Sequence, residues 1–463
     1  MQVLNHSLSQ FQKIFFVGIG GISMSSLAHM ALAEGKTVGG SDRADSSAVK
    51  ALAQKGCHIV IGHFPESVQG YDLVVYTAAV SQSSPELFSA RRLGIPTLTR
   101  GEYLGAVMQD FAIRIGVSGT HGKTSTTTLL SHIALAANVD PTVMNGARAK
   151  TLNGEAYRIG ADKRYFLYEA CEYKASFHDF YPTTAIITNI ELDHTDCYAS
   201  LDDITEAFRK SLSCANIAVV NYDDPAAMRA VSDFQGKTVT FSLNSTDADY
   251  AASDIEPLGQ TTAFTLYING KAYRRVQLSL IGRFNVANAL AALAAAHQNG
   301  ISPDIAAASL QSFEAPDRRF EVIHRGKVLL CDDYAHHPSE IEATLKSAKA
   351  LLKEGGRLIV IFQSHTYTRT HDLFDDFVKA LRLADLVYMP DIYAARETDT
   401  LGVSSETLCR AIGTNATYLK SFDSIAHAVF SEARENDVIL TMGAGDVFAI
   451  GRTLKTLFEQ NGL

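Results

Sequence analysis

The chain has 463 residues, of which 46% are hydrophobic and 20% are charged, and its formal net charge at pH 7 is −9. This composition is that of an ordinary globular protein, and the length predicts about three domains at roughly 150 residues each. The negative charge argues against a nucleic-acid partner, because proteins that bind nucleic acid carry basic surfaces. The apolar runs are too short to span a bilayer, so we expect no membrane partner. The six cysteines form no CxxC pair, which favours reduced thiols and a cytoplasmic location.

The first hundred residues alternate apolar runs with helix-length segments. The run Lys13 to Val17 predicts a buried parallel strand, and a glycine turn separates it from a predicted helix over Ile22 to Ala33. Three further strands are predicted near residues 37–42, 57–61 and 73–76. Strands separated by helices indicate a doubly wound α/β unit, which we expect to end near residue 108.

The turn after the first strand has the pattern of a dinucleotide-binding loop. Gly18 and Gly20 match its first two glycines, and Ser23 replaces the third. Asp42 lies about where such folds place an acid that binds ribose. A tight turn without a ligand is one explanation. The helix N-terminus favours an anion instead, such as the pyrophosphate of a nicotinamide dinucleotide or of a UDP-sugar.

A second glycine-rich turn begins the next unit, in the run Gly116-Val117-Ser118-Gly119-Thr120-His121-Gly122-Lys123-Thr124. It follows an apolar run and precedes a predicted helix, which is the layout of a loop that cradles phosphates. In such a loop the backbone N–H groups approach phosphate oxygens, Lys123 reaches the β- and γ-phosphates, and the Thr124 hydroxyl can bind Mg²⁺. Val117 stands where the common pattern has glycine. The run therefore predicts a site for the phosphates of ATP or GTP.

Candidate metal ligands follow two apolar runs of this second unit. Glu169 ends the run that begins at Tyr165, and a carboxylate there can bind Mg²⁺; Glu172 is a competing candidate. The segment Asn189 to Asp196 is dense in ionisable groups, and its His194 becomes a second candidate ligand beside the phosphate loop. A solvated acid and a merely hydrogen-bonded histidine are the alternatives.

The second unit is predicted to end with a hairpin and a helix. The run Thr262 to Ile268, followed by Asn269-Gly270, is typical of a β-hairpin, so the sheet of this unit should be mixed. The helix is predicted over Asn285 to His297, and the next boundary near residue 314.

The last third is predicted to form another α/β unit. Its predicted strands are Lys327 to Cys331, Arg357 to Phe362, Leu386 to Met389 and Asp437 to Met442, and its predicted helices are Pro338 to Leu352 and Thr370 to Leu383. The polar run Asp332 to Pro338 lies at a strand-to-helix junction, where α/β sheets bind ligands, although Asp333 or His337 could simply cap the helix. Arg318-Arg319 and the segment His365 to Arg369 add cations suited to carboxylates or phosphates.

In their order along the chain, these motifs resemble the Mur ligase family. The motifs are Gly18 to Ser25, Gly119 to Thr124, Thr188 to His194, Arg318 to Glu321 and Asp332 to Pro338. The resemblance covers essentially the whole chain. It implies three consecutive α/β domains: an N-terminal Rossmann-like domain at 1–108, a central P-loop ATPase domain with a mixed sheet at 109–314, and a C-terminal Rossmann-like domain at 315–463. In that order they would bind a UDP-sugar, ATP and the incoming amino acid.

The resemblance also implies an activity. It points to an ATP-dependent ligase of peptidoglycan precursor synthesis that joins L-alanine to the lactyl carboxylate of UDP-N-acetylmuramate. The reaction would pass through an acyl phosphate, use Mg²⁺ or Mn²⁺, and release ADP and phosphate. Three alternatives stay open: a ligase that attaches a recycled peptide, a nicotinamide-dependent dehydrogenase and a nucleotide-binding sensor. Both a monomer and a homodimer are compatible with the sequence.

Roles for individual residues follow from the resemblance alone. The UDP moiety would be held by Gly20, Gly21, Asp42 and His63. ATP would be held by Gly119, Thr120, His121, Gly122, Lys123, Thr124, Ser125, Asn285, Asn288, Arg319 and Asp333. The metal would be held by Thr124, Glu169 and His194, and the catalytic residues would be Lys123, Glu169 and His194. The amino acid would be held by His336, His365 and Arg369.

Four positions bear on how closely the chain follows the family. Phe284 stands where many members have histidine, and Thr366 stands where many have arginine. The stretch Glu-Ala-Cys-Glu-Tyr at 169–173 replaces the commoner Glu-Ala-Asp-Glu-Ser, so Cys171 takes the place of an acid. Sister ligases carry a carbamylated lysine after the metal histidine, but the stretch Phe208-Arg209-Lys210 gives no reason to expect one here.

Overall fold

The computed structural model describes residues 8–77, 79–195, 197–395 and 397–462. The chain forms two compact units. The first holds the described parts of Met1–Ala251, Tyr267–Ala272 and Ala287–Leu310, and the second holds those of Ala252–Leu266, Tyr273–Val286 and Gln311–Leu463. Within the described residues, no helix has the length and apolarity needed to cross a membrane.

The first sheet has five parallel strands in the order β3-β2-β1-β4-β5. Its strands are β1 Lys13–Val17, β2 Thr37–Asp42, β3 His58–Ile61, β4 Leu73–Tyr76 and β5 Thr97–Thr99, and its helices are α1 Ile22–Ala33, α2 Ser47–Gln54, α3 Pro85–Leu93 and α4 Arg100–Met108. The chain order reverses between β1 and β4, which places a crevice outside the carboxyl ends of these strands. The predicted doubly wound layout is confirmed.

The second sheet has ten strands in the order β15-β14-β13-β12-β11-β10-β6-β9-β7-β8. Its strands are β6 Ile113–Ser118, β7 Thr142–Ala149, β8 Glu155–Arg158, β9 Tyr165–Glu169, β10 Thr184–Ile187, β11 Ile217–Asn221, β12 Lys237–Ser242, β13 Tyr250–Leu258, β14 Thr261–Ile268 and β15 Lys271–Leu278. The accompanying helices are α5 Lys123–Ala136, α6 Leu201–Ser211, α7 Pro225–Ala230, α8 Arg283–Gln298 and α9 Pro303–Ser309. β6 pairs in parallel with β9 and β10, whereas β7 and β8 are antiparallel, so the predicted mixed sheet is confirmed.

The predicted hairpin lies between β14 and β15. The two residues of its turn, Asn269 and Gly270, have φ angles of 52° and 72°. A two-residue turn with both φ angles positive matches the right-handed twist of the flanking strands, and Asn-Gly adopts it with little strain.

The third sheet has six strands in the order β16-β17-β21-β18-β19-β20, with β16 antiparallel at one edge. Its strands are β16 Glu321–Arg325, β17 Leu329–Asp333, β18 Leu358–Phe362, β19 Leu386–Met389, β20 Ala416–Tyr418 and β21 Val438–Met442. Its helices are α10 Pro338–Lys349, α11 Tyr367–Asp372, α12 Phe374–Leu381, α13 Ser405–Ile412, α14 Phe422–Glu432 and α15 Phe448–Asn461. Short 3₁₀ segments occupy Leu8–Gln10, Pro65–Val68, Lys150–Leu152, Tyr173–Asp179 and Leu310–Ser312.

Two details of the sequence-based prediction are wrong. The single helix expected over Thr370 to Leu383 is two helices, because Leu373, at φ −112° and ψ 25°, ends α11 and begins α12. The strand expected at Lys327 to Cys331 is shifted to Leu329–Asp333, so it takes in two aspartates. Each aspartate is satisfied there: Asp332 bonds Thr441 and Arg318, and Asp333 accepts two backbone N–H groups.

A buried ion pair lies at the opposite, amino-terminal edge of this sheet. Asp437 is fully buried just before β21, and Arg357 Nη2 donates to its Oδ2 at 2.7 Å. The Asp437 carboxylate also accepts the backbone N–H groups of Arg357 and Arg434, both at 2.9 Å. The pair therefore ties the starts of β18 and β21 together.

We expect Arg357→Met to lower the free energy of unfolding by about 3 kcal/mol or more, because it leaves a buried carboxylate without its counter-charge. Arg410→Met is the matched control. Arg410 pairs with Glu406 on the exposed surface of α13, and losing that pair should cost less than about 1 kcal/mol. Denaturant unfolding followed by circular dichroism measures both variants. Equal losses would contradict the role given to Asp437.

Candidate functional site

The phosphate loop is the four residues between β6 and α5. Gly116, Val117 and Ser118 belong to the strand, so the departure at Val117 falls in buried strand and not in the loop. Gly119 and Gly122 have φ angles of 139° and 81°, a region that favours glycine. A side chain at Gly119 would also collide with the Thr188 hydroxyl.

The segment after β10 fixes the shape of the loop. The backbone N–H of Thr120 donates to the Asn189 carbonyl at 3.0 Å, and that of His121 donates to Asn189 Oδ1 at 2.8 Å. His121 Nε2 lies 3.2 Å from Glu191 Oε2. The segment Thr188 to Glu191 therefore supports the loop. The sequence analysis had assigned a role in this motif only to His194.

Lys123 begins α5 and is held inside the loop. Its Nζ donates to the carbonyl oxygens of Gly119 at 2.5 Å and Thr120 at 2.9 Å, and lies 3.0 Å from Glu172 Oε1. Burial, the largest effect, would lower the pKa of Lys123, but Glu172, together with Cys171 and Glu169, raises that pKa above its usual value. The Lys123 side chain is therefore a charged ammonium in the folded protein at neutral pH. Ser125 lies in the first turn of the same helix, where backbone N–H groups have no helical acceptor.

Four side chains with oxygen or nitrogen ligand atoms stand beside Lys123. Thr124 Oγ1 donates to Glu169 Oε2 at 2.8 Å, and Glu172 Oε1 lies 3.5 Å from His194 Nε2. Within the described residues, Glu169, Glu172 and His194 do not bring three ligand atoms all within 4.8 Å of one another. Asp196, at the end of the motif, lies outside the described residues.

Glu172 is the acid that the sequence left as a competitor to Glu169. It is buried, and its Oε2 has no hydrogen-bond partner in the described structure. Burial, the largest effect, would raise the pKa of Glu172, but the Lys123 ammonium and the neighbouring His194 together lower it below its usual value. A buried, ionised carboxylate with one oxygen unpartnered and the other 3.5 Å from His194 Nε2 has the chemistry of a ligand for a hard divalent cation such as Mg²⁺.

The first glycine turn is organised by the end of β2. The N–H groups of Gly18 and Ile19 both donate to the Ser41 carbonyl, and the N–H of Gly20 donates to Asp42 Oδ2 at 2.8 Å. Gly21 precedes α1 without a side-chain cap, so the N–H groups of the first helical turn face outward from the turn. Asp42 therefore shapes the turn, in addition to any contact with a ribose.

Arg100 is a cation near this turn that the sequence analysis missed. It follows β5 and donates to the hydroxyl oxygens of Ser23, at the start of α1, and Ser176. Its position at the carboxyl end of a parallel strand was the available signal. His63, the fourth expected UDP contact, follows β3 and lies 2.6 Å from the buried Glu86.

The two asparagines expected near adenine lie on α8. Asn285 Nδ2 donates to the Ile281 carbonyl at 2.8 Å, so this side chain holds the turn before the helix. Asn288 lies against Gly122 of the phosphate loop, where a side chain on Gly122 would strike its amide. Phe284 packs beside Gly282.

In the second unit, the expected ATP contacts Asp333 and Arg319 lie at and near the carboxyl end of β17. Arg318 Nε donates to Asp332 Oδ2 at 2.8 Å and its Nη atoms reach the carbonyls of Gly443 and Gly445, so it fixes the glycine turn after β21. The Arg319 guanidinium lies 5.0 Å from the centre of the Tyr334 ring. Burial, opposed by Arg319, raises the pKa of Asp333 to about 6.

The three residues expected to hold the amino acid come together in this unit. The rings of His336 and His365 are 6.0 Å apart, and Arg369 Nη1 is 3.4 Å from His365 Nδ1. Tyr393, which sequence reasoning missed, stacks on His365 at 5.5 Å. Thr366 caps α11 with φ 69° and ψ 146°, a strained conformation for a β-branched residue. His337, by contrast, caps α10, as the alternative explanation of that motif had it.

Comparison with known protein families matches the chain in three consecutive parts. Residues 13–112 match the family model described as Mur ligase family, catalytic domain; residues 117–296 match the Mur ligase middle domain; and residues 318–445 match the Mur ligase, glutamate ligase domain. The chain belongs to the Mur ligase family. The fold implied by the resemblance, three α/β domains with parallel or mixed sheets, is confirmed.

Individual relatives cover nearly the full length. A UDP-N-acetylmuramate–L-alanine ligase of Clostridium novyi is 42% identical over 449 residues, which are 95% of this chain and 96% of that protein. The crystal structure of the UDP-N-acetylmuramate–alanine ligase of Thermotoga maritima matches with a TM-score of 0.82 at 28% identity, covering 97% and 99% of the two chains. A murein peptide ligase of Psychrobacter arcticus matches with a TM-score of 0.70 at 26% identity, covering 96% and 98%.

The raised pKa of Asp333 predicts a pH dependence. Because the pKa of Asp333 in the folded state, about 6, lies above its ordinary value of 3.8, folding favours the protonated carboxyl. Its contribution to stability is complete below pH 3.8 and is lost as the pH rises to about 6, a change of about 3 kcal/mol.

We expect a ¹³C-carboxyl resonance of labelled aspartate to titrate near pH 6 and to vanish in Asp333→Asn. The exposed Asp423→Asn serves as the control and should leave that resonance in place. A resonance near pH 6 that survives Asp333→Asn, or its absence from the parent protein, would show the burial argument to be wrong.

Proposed function

We propose that this chain joins L-alanine to the lactyl carboxylate of UDP-N-acetylmuramate, converting ATP to ADP and phosphate in peptidoglycan precursor synthesis. The observation that carries the proposal is the phosphate loop with its buried Lys123–Glu172 pair, in a chain 42% identical over 95% of its length to a protein named for that activity. All six cysteines lie among the described residues as thiols outside any disulfide, which favours activity in the reducing cytoplasm.

The three segments 1–108, 109–314 and 315–463 would bind the three substrates in that order. Gly20, Gly21, Asp42 and His63 would hold the UDP moiety. Residues 119–125, with Asn285, Asn288, Arg319 and Asp333, would hold ATP. His336, His365 and Arg369 would hold L-alanine.

In the first step, the lactyl carboxylate attacks the γ-phosphorus of ATP. A P–O bond forms to the carboxylate oxygen, the bond to the β-phosphate oxygen breaks, and ADP leaves. Catalysis of this step is mainly positioning and charge neutralisation. The Lys123 ammonium, which Glu172 keeps in place and charged, neutralises charge on the β- and γ-phosphates.

The side chains beside Lys123 have the donor atoms that a divalent cation prefers. Thr124, Glu169 and His194 would hold Mg²⁺ or Mn²⁺, and Glu172 Oε1 lies 3.5 Å from His194 Nε2. When bound, the cation neutralises phosphate charge. The residues themselves set its position, because Glu169 is tied to Thr124 and Glu172 is tied to Lys123.

In the second step, the amine of L-alanine attacks the acyl carbon of the acyl phosphate. The C–N bond forms, the C–O bond to phosphate breaks, inorganic phosphate leaves, and the nitrogen gives up one proton to water. Arg369 supplies a guanidinium suited to the alanine carboxylate. The His365 ring lies beside Arg369, and the His336 ring lies 6.0 Å from that of His365.

A ligase for a recycled peptide is the second candidate, because a murein peptide ligase shares the fold at a TM-score of 0.70. A dehydrogenase would not explain the Lys123–Glu172 pair in the phosphate loop. A nucleotide-binding sensor would not explain the group formed by His336, His365 and Arg369. The acceptor decides between the two ligases.

We expect ADP release to require both UDP-N-acetylmuramate and L-alanine, and to be at least tenfold faster with L-alanine than with L-alanyl-γ-D-glutamyl-meso-diaminopimelate. A coupled assay for ADP measures each acceptor, with product mass as confirmation. Faster release with the tripeptide would favour the peptide ligase. Release without UDP-N-acetylmuramate would indicate a nucleotide-hydrolysing sensor.

We expect Lys123→Met to lower kcat by about 10²-fold or more, because a preorganised charge at the transferring phosphoryl group is lost, at a cost of about 3 kcal/mol. Lys271→Met removes a lysine from the exposed start of β15 and should leave kcat unchanged. Single-turnover formation of ADP separates this step from product release. Full activity of Lys123→Met would contradict the assignment of Lys123 to the β- and γ-phosphates of ATP.

A further inference from the structure

We propose that Glu86 is a positioning residue for the UDP-sugar. It orients the imidazole of His63 so that His63 Nε2 accepts a hydrogen bond from the uridine. The inference rests on the proposed function and assigns a task to a buried acid that the mechanism above does not use.

Glu86 is a fully buried acid in the first turn of α3. A single oxygen, Oε1, accepts two hydrogen bonds: one from Ser41 Oγ at 2.9 Å and one from His63 Nδ1 at 2.6 Å. The other oxygen, Oε2, has no partner in the described part of the chain. A buried carboxylate with one oxygen unpaired is costly, so its retention calls for a reason beyond packing.

The acid is linked to the first glycine turn through Ser41. The Ser41 carbonyl accepts the N–H groups of Gly18 and Ile19, while its hydroxyl donates to Glu86. On the other side, Gly62, just before His63, donates its N–H to the carbonyl of Asp42 at 2.8 Å. The Glu86–His63 pair is therefore joined to the same strand ends that shape the turn.

The hydrogen bond fixes which nitrogen of His63 carries the hydrogen. A carboxylate oxygen only accepts, so Nδ1 donates, and we infer the tautomer in which Nε2 is left as an acceptor. The His63 side chain is 32% exposed, whereas Glu86 is 0% exposed, so the pair has one buried end and one end open to a ligand.

An acceptor nitrogen selects one part of the UDP-sugar. The imide N–H of uracil and the ribose hydroxyls are donors, whereas ionised phosphates offer acceptors only. The geometry thus assigns His63 to the nucleoside and leaves the pyrophosphate to the α1 N-terminus and Arg100.

Glu86→Met tests the proposal, because it removes the acceptor while keeping similar bulk. We expect KM for UDP-N-acetylmuramate to rise at least tenfold with kcat changed less than twofold. In ¹⁵N-histidine spectra of the unliganded protein, the His63 signals should shift from the Nδ1–H form towards a mixture. Glu86→Gln, which retains an oxygen at Oε1, should recover most of the affinity.

Ser89→Ala is the control on the same helix. Ser89 is buried, its hydroxyl has no partner among the described residues, and KM should stay unchanged. In a His63→Ala background, Glu86→Met should add less than a twofold increase in KM. An equal increase with and without His63, or an unshifted His63 signal, would overturn the proposal and leave Glu86 a structural residue.

Calorimetry with UDP alone identifies the donor and needs neither ATP nor an amino acid. If His63 accepts from the uracil imide, N3-methyl-UDP should bind the parent protein and Glu86→Met with equal affinity. If it accepts from the ribose 2′-hydroxyl, 2′-deoxy-UDP should do so. Inorganic pyrophosphate should bind both proteins equally, and weaker binding of pyrophosphate to Glu86→Met would count against the proposal.

Two results separate this inference from the proposed function. Parent protein that binds UDP but releases no ADP would refute the proposed function alone. Normal ADP release with an unchanged KM in Glu86→Met would refute this inference alone.

Discussion

The buried pair of Lys123 and Glu172 is the interaction on which the central site depends. A lysine in the loop that cradles phosphates must be charged, yet the loop buries it, and burial alone would favour the neutral amine. Glu172 resolves that conflict at 3.0 Å, and the two loop carbonyls take the remaining ammonium hydrogens. The same carboxylate reaches towards His194, so one acid orders both the phosphate-binding cation and a candidate metal ligand.

Cys171 shows how the pair tolerates a departure from the family pattern. Burial and the neighbouring Glu172 raise the pKa of the Cys171 thiol to about 11, so it is neutral at physiological pH. A second carboxylate at this position would compete with Glu172 for the same ammonium. With a neutral thiol there, the charge balance beside Lys123 rests on Glu169 and Glu172.

Much of the fold could be predicted from the sequence because its parallel strands are buried on both faces and appear as continuous apolar runs, as in β1 and β18. The phosphate loop could also be predicted, since Gly119 and Gly122 adopt positive φ angles that favour glycine and are visible in the sequence. The break at Leu373 could not, because both flanking segments favour helix and the break shows only in the backbone angles of Leu373 in the folded chain. Glu86 left no signal either: an acid in the first turn of a helix is ordinary, and its burial is a property of the folded chain.

The hydrogen bonds from the Thr188–Glu191 segment to the phosphate loop have a thermodynamic consequence. They hold Thr120 and His121 in one backbone conformation through contacts within the protein itself. Ordering a flexible loop on binding would cost conformational entropy, and that cost is already met during folding here. Nucleotide affinity should therefore depend little on loop rearrangement, and substitutions that loosen Asn189 would weaken binding through entropy while touching no phosphate.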